Sequence, residues 1–81
     1  MIKLYQLETC PFCIKVREKL DELGLEYETV EVSWKTSERD EVEEISGQRQ
    51  VPVIVDEEHG VDGMNESSEI IEYLEETYGY A

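Results

Sequence analysis

Basic residues are scarce in this chain. Seven Lys and Arg stand against 21 Asp and Glu over 81 residues, a net charge of 7 − 21 = −14. The shortage deepens along the sequence. Residues 1–40 carry 9 acids and 6 bases, and residues 41–81 carry 12 acids and 1 base. Phosphate backbones and anionic headgroups are repelled by such a surface, so neither nucleic acid nor a membrane is an expected partner. Two overlapping readings of the acidity stand. One is a solvated coat that keeps the protein soluble. The other is adaptation to molar salt, where a Debye length of ~3 Å removes the repulsion among carboxylates. Also missing is any apolar run long enough to span a bilayer. The first seven residues, Met1 to Leu7, alternate apolar and polar and lack a signal peptide's apolar block. The expectation is a cytoplasmic monomer, one domain over residues 1–81. No repeat, linker or low-complexity segment interrupts it.

Cysteine is nearly absent too. There are two, and both fall within Glu8-Thr9-Cys10-Pro11-Phe12-Cys13. A bridge across four residues closes a very small loop and constrains the unfolded chain little, so it is a poor staple. In the expected compartment, paired cysteines serve redox catalysis or metal binding more often than structure. A structural zinc needs about four ligands. The single histidine, His59, is the only further strong candidate, and it falls in an acidic turn where a solvated loop residue is expected. A resident metal is therefore not expected.

Periodicity orders the rest. Residues 1–7 read as a strand. Cys10-Pro11 opens a helix whose Val16, Leu20 and Leu23 recur at i, i+4 and i+7, and Gly24 stops it. Residues 26–32 alternate as a second strand. Residues 33–36 form a loop whose Trp34 is expected to pack against the domain. Ser37 is expected to cap a short helix that buries Val42 and Ile45 and ends at Gly47. Residues 51–55 are an apolar strand entered through Pro52, residues 56–60 a turn, and residues 61–64 a strand pairing back as a hairpin. The last helix starts within residues 65–67, buries Ile70, Ile71, Leu74 and Tyr78, and ends at Gly79. The order β-α-β-α-β-β-α implies an α/β fold with a mixed four-stranded sheet flanked by helices. Its first β-α-β unit should be parallel.

With Cys10 at the helix N-cap, Pro11 takes N1, where its missing N–H is not needed. Cys13 falls at N3, one turn on. The Cys10 sulfur then faces free backbone N–H groups and the positive end of the helix dipole, and both favour thiolate. Cys10 is thereby placed to attack and Cys13 to resolve.

On these motifs the sequence resembles the glutaredoxin family. Cys10-Pro11-Phe12-Cys13 is similar to the dithiol active site, with Phe where Tyr is usual. Val51-Pro52 is similar to the family's Val-Pro, whose proline is cis and faces the cysteines. Glu66-Ser67-x-x-Ile70-x-x-Tyr73-Leu74 looks more like the glutathione-binding segment of the glutathione transferase N-terminal domain. The resemblance implies a thioredoxin-like fold and disulfide reduction linked to a small thiol, glutathione or γ-glutamylcysteine, with no tightly bound cofactor. It implies protein disulfide substrates and a small thiol or a thiol reductase as electron donor. Val51, Glu66 and Ser67 would bind the thiol, with Arg49 receiving a carboxylate or else only balancing nearby acids. Glu66 and Ser67 also fit a plain helix start as acid and cap. The basic residue that many glutaredoxins place before the first cysteine is absent, and Glu8-Thr9 stands there. Lys15 and Arg17 substitute in part, or are solvated helix charges. Two other functions remain open. One is a γ-glutamyl-thiol-binding, transferase-like module, against which no all-helical second domain follows. The other is an iron–sulfur carrier, against which Pro11 stands where such carriers favour Gly.

Overall fold

Alternation along β1 (Ile2–Gln6) decides the layering. Ile2 and Leu4 point to one face and Tyr5 to the other, and two helices close the first face and one the second. The computed structural model describes residues 1–79. Helix α1 (Pro11–Glu22) and helix α3 (Ser67–Tyr78) cover the first face, where Val16, Leu20, Ile70 and Leu74 meet Ile2, Leu4 and Ile54 in one fully buried cluster. A shorter helix, α2 (Asp40–Ser46), covers the second face with Val42 against Tyr5 and Val53. A side-chain period of 2 on the strand, matched by a period near 3.6 on α1 and α3, is what lets one apolar set be shared.

Strands β2 (Tyr27–Glu31), β3 (Val53–Asp56) and β4 (Val61–Met64) complete a sheet of order β2-β1-β3-β4. β1 pairs parallel with β2, from Ile2–Tyr27 to Gln6–Glu31. It pairs antiparallel with β3, Leu4 opposite Ile54, and β3 pairs antiparallel with β4. The expected mixed sheet and element order are therefore present, with three α-helices among the described residues. A register shift falls between Ile54 and Val55, where β4 advances from Met64 to Asp62. Gly63 is the extra residue of that bulge. Its φ is +115°, and a Cβ there would lie 2.5 Å from the Ile45 carbonyl oxygen, so the end of α2 approaches β4 only because Gly63 has no side chain.

Three local expectations need correction. Ser37 does not cap α2. Residues Thr36–Glu38 make a separate 3₁₀ turn, and Arg39 stands at the N-cap with φ −101° and ψ 50°, outside helical geometry. Trp34 does not pack its loop against the protein, being 73% exposed. Residues 51 and 52 are not part of the paired strand, which begins at Val53 after a cis peptide between Val51 and Pro52. Among the described residues, no helix is long and apolar enough to cross a membrane.

Candidate functional site

The site forms where β1 hands over to α1. A tight turn closes with the Cys10 N–H on the Leu7 carbonyl at 3.0 Å, and the Cys10 carbonyl starts the helix by accepting from Ile14 N–H at 3.0 Å. Cys10 is the N-cap and Pro11 opens the helix, as the sequence requires. Both cysteines are free thiols, Cys10 partly exposed and Cys13 fully buried. Their acidities diverge. Partial burial pushes Cys10 up, but the nearby donors of the Cys13 backbone and thiol and of the Phe12 backbone outweigh it, although none closes a side-chain cap bond to Cys10. With the Arg39 charge they hold Cys10 below an ordinary thiol. Deeper burial pushes Cys13 up to about 11, helped by its bond to Cys10 and the Cys10 charge, and opposed by the Leu7 backbone and Arg17. One thiol is made more acidic than usual, and its neighbour is kept protonated beside it.

Two arginines build this setting in ways the sequence did not reveal. Arg17 donates to the Gln6 side-chain oxygen and, at 3.0 Å, to the Glu8 carbonyl. Glu31 completes the clamp, accepting from Gln6 Nε2 at 2.9 Å and from Glu8 N–H at 2.8 Å. Arg17 is thus neither a thiolate partner for Cys10 nor a solvated charge. It fixes the loop that carries Cys10. Arg39 is 8% exposed and donates to the carbonyls of Ser33 at 2.7 Å, Arg49 at 3.1 Å and Trp34 at 3.5 Å. It supplies the positive charge that Glu8-Thr9 does not. The signal was its spacing. Position 39 precedes Val42 and Ile45 by three and six, so it shares their inward face.

Beside Phe12, which with Pro11 separates the two cysteines, lies a cleft of about 190 Å³. Phe12, Gln50, Val51 and Pro52 line it together with Asn65, Glu66 and Ser67 at the start of α3. Pro52 is buried. Glu66 is the N-cap and Ser67 the first helical residue, and the N-cap makes no side-chain bond, so Ser67 is not the cap. Arg49 is not among the lining residues. It pairs with Asp40 at 2.8 Å and Glu43 at 2.7 Å and donates to the Thr36 carbonyl at 3.1 Å. Gln50 and Asn65 were not singled out from the sequence, and polar type beside known neighbours was the only signal they gave.

A second cluster lies at the other end of the sheet. Asp56 is 1% exposed. Its Oδ2 accepts from Tyr73 OH at 2.6 Å and Tyr78 OH at 2.5 Å, and lies 3.0 Å from His59 Nδ1. His59 is therefore a partner of a buried acid, and only in part a solvated loop residue. Burial pushes Asp56 up, but the bonds from Tyr73, Tyr78 and His59 more than offset it and hold the carboxyl below its ordinary value. Burial and the same carboxylate push Tyr78 up to about 12. Because this cluster lies beyond the start of β1, His59 cannot join the two thiols as a metal ligand.

A two-faced mixed sheet, a Cys-Pro-Phe-Cys helix start and a cis proline opposite it define a thioredoxin-like protein of the glutaredoxin and glutathione transferase type. The match to family models is more specific: residues 4–80 fit the glutathione S-transferase N-terminal domain, and the chain belongs to that family. It is 43% identical over 74 residues to mouse prostaglandin E synthase 2, covering 90% of this chain and 18% of that protein. It is 41% identical over 54 residues to an uncharacterised glutaredoxin-like 8.6 kDa protein of Clostridium pasteurianum, covering 67% of this chain and 72% of that one. Among solved structures, a glutathione transferase of Phanerochaete chrysosporium in complex with oxidised glutathione superposes with a TM-score of 0.86 at 29% identity, over 96% of this chain and 36% of that one. The chain thus spans under a fifth of the synthase and about a third of the transferase.

Proposed function

We propose that the protein is a thiol–disulfide oxidoreductase of the glutaredoxin type that draws electrons from a small γ-glutamyl thiol. The observation that carries this reading is the pair of unequal thiols at the start of α1, one held below and one above the ordinary thiol range. The Cys10 thiolate attacks one sulfur of a substrate disulfide. A Cys10–substrate bond forms, the substrate S–S bond breaks, and the other substrate sulfur leaves as thiolate. Cys13 then gives up its proton and attacks the Cys10 sulfur, releasing the second substrate thiol. The substrate gains two electrons, and Cys10–Cys13 becomes a disulfide. Two equivalents of small thiol restore the dithiol and leave as their own disulfide.

The cleft supports a small-thiol co-substrate. Val51 lies outside the paired segment of β3, so its backbone is available to add an extended cysteinyl unit. The first N–H groups of α3 and the Ser67 hydroxyl suit the γ-glutamyl carboxylate, and Glu66 suits its amine. Relatives named as glutathione transferases favour the same ligand class.

The test is a pair of variants. Cys10→Ser should abolish exchange with every disulfide. Cys13→Ser should keep release of a small thiol from a mixed disulfide while protein disulfide reduction falls. Alkylation of Cys13→Ser against pH should report Cys10 titrating below a free thiol. Equal loss of both activities in both variants would overturn the assignment of attacking and resolving roles.

A further inference from the structure

The acids of this chain outnumber its bases threefold, so any base that lacks a carboxylate partner is unexpected. Lys3, Lys19 and Arg49 have such partners. The other four of the seven, Lys15, Arg17, Lys35 and Arg39, make no ion pair among the described residues. All four surround the Cys10 end of the sheet. Arg17 and Arg39 are committed to neutral oxygens of Gln6, Glu8, Ser33, Trp34 and Arg49. Lys15 and Lys35 are exposed, and each sits over an exposed aromatic ring: Lys15 Nζ is 5.8 Å from the Phe12 centroid and Lys35 Nζ 5.5 Å from the Trp34 centroid.

Topology sets these two pairs at the same end of the sheet as Cys10. Phe12 follows Cys10 on α1. Trp34 lies in the loop after β2, which runs parallel to β1 and stays paired beyond it through Val32 N–H on the Gln6 carbonyl at 2.9 Å. Two carbonyl bonds from buried Arg39, to Ser33 and to Trp34 itself, brace that loop, and a third anchors Arg39 to the Arg49 carbonyl. A Trp that is 73% exposed on a braced loop is not a fraying end. It is a large apolar surface held in place, with the Lys35 ammonium over its ring and most of its area open to solvent. It is also absent from the lining of the small-thiol cleft, so a tripeptide-sized thiol does not account for it.

The geometry points to a docking surface for the protein substrate: Trp34 with Lys35, and Phe12 with Lys15, receive a polypeptide segment that carries acidic side chains and an apolar residue next to its reactive disulfide. Charge complementarity selects this partner. The rest of the molecule repels an acidic protein, and among the described residues this end holds the four bases that pair with no carboxylate, even with Glu8, Glu31 and Glu38 nearby. A long-range repulsion with one attractive entry also orients the approach, bringing the partner's disulfide to Cys10. The inference rests on the proposed oxidoreductase reading and goes beyond it in naming the substrate's character.

The test compares three disulfides at low and at molar KCl. One is a synthetic peptide with an intramolecular disulfide flanked by Asp and Leu, the second is the same peptide with Lys for Asp, and the third is neutral bis(2-hydroxyethyl) disulfide. The wild type should reduce the Asp peptide with a kcat/KM about tenfold or more above the Lys peptide at low salt, and the gap should close in molar KCl. Lys15→Gln with Lys35→Gln should narrow the gap severalfold. Trp34→Ala should lower kcat/KM on the Asp peptide severalfold, and neither variant should change the rate on bis(2-hydroxyethyl) disulfide. If none of the three disulfides is reduced, the oxidoreductase reading itself fails. If all are reduced with no dependence on peptide charge, only the docking surface fails. A wild-type dimer that Trp34→Ala converts to a monomer in sedimentation would assign the surface to a second copy and overturn the proposal.

Discussion

Each end of the sheet holds one acid made stronger than usual, and the two are treated in opposite ways. At the end of β1 neighbouring thiol and backbone donors and Arg39 hold Cys10 below an ordinary thiol, yet its sulfur stays partly exposed. At the end of β3 the Asp56 carboxylate is sealed, with three partners on a single oxygen. The same physics lowers both proton affinities: donors aimed at the charge outweigh desolvation. What differs is whether the anion keeps a lone pair free toward solvent. A sealed anion can only hold structure together, here tying β3 and the following turn to the last turns of α3. An anion left open can react. Reactivity here is a matter of incomplete satisfaction, so a depressed pKa alone does not mark a site.

Beyond the loss of exchange expected for Cys10→Ser, the largest break of this comparison is at the sealed end. Asp56→Asn removes the charge that two tyrosines and His59 surround. Hydrogen bonds to a buried charge are worth about 1.5–3 kcal/mol each, and Asn keeps part of the acceptor, so a loss of about 2–4 kcal/mol is expected. Denaturant unfolding at pH 7 measures it. The folded carboxyl titrates below its unfolded value near ~3.9, so its contribution is complete above that pH and disappears as pH falls through the lower folded value. The gap between wild type and variant should therefore narrow in acid. Thiol alkylation of Asp56→Asn should match the wild type. A shifted thiol titration would mean that the two ends are coupled and that the contrast drawn between them is wrong.

The open end was far more legible in the sequence than the sealed one. Cys10, Cys13 and Pro11 announce themselves because the chemistry is local: two residue types at fixed spacing, a strand before and a helix after. The order of elements was equally plain, since each apolar stripe fits one period. Asp56 was hidden because its partners are 17 and 22 residues away in sequence and because an Asp after a strand reads as a turn. A trace existed. Asp56 continues the alternation of Ile54 and so belongs on the α3 face, where Tyr73 and Tyr78 also point. Arg39 was hidden for the same reason, its three acceptors being backbone oxygens that no sequence pattern displays. Trp34 misled in the opposite direction. Large aromatics are usually buried, and nothing in residues 33–36 signalled that this one faces water.

A smaller effect tests whether the open end binds as well as reacts. Ser67 Oγ is not engaged in capping α3, so removing it should cost little stability. Ser67→Ala should weaken reduction by glutathione or γ-glutamylcysteine by about 1–2 kcal/mol, the lower part of the range for a hydrogen bond to a charged group because the cleft is open to solvent. Turnover with dithiothreitol, which has no γ-glutamyl end, should stay unchanged. Equal losses with both reductants would return Ser67 to a purely structural role. No loss with either would remove the γ-glutamyl site from the start of α3 and favour a reductase as electron donor.

Salt gives the smallest and most diagnostic effect, because its sign should differ between fold and site. The acids are spread over the whole surface, and after residue 40 they number 12 against a single base, Arg49, which is already paired. Their mutual repulsion opposes compaction, and raising KCl shortens the Debye length from ~10 Å at 0.1 M to ~3 Å at 1 M, which removes most of it. The thermal midpoint should rise by a few degrees across that range, since about 1 kcal/mol moves a domain of this size by roughly 4–8 °C. Guanidinium chloride is unsuitable for the measurement because it is itself a salt. The Asp56 cluster is dry and should not weaken. The cations around Cys10 act on an approaching partner through solvent, so capture of an acidic peptide should slow as the fold is strengthened. A midpoint that stays flat would mean the carboxylates are too dispersed to repel. A midpoint and an exchange rate that rise together would mean that repulsion from the whole surface, rather than attraction at the Cys10 end, governs the encounter.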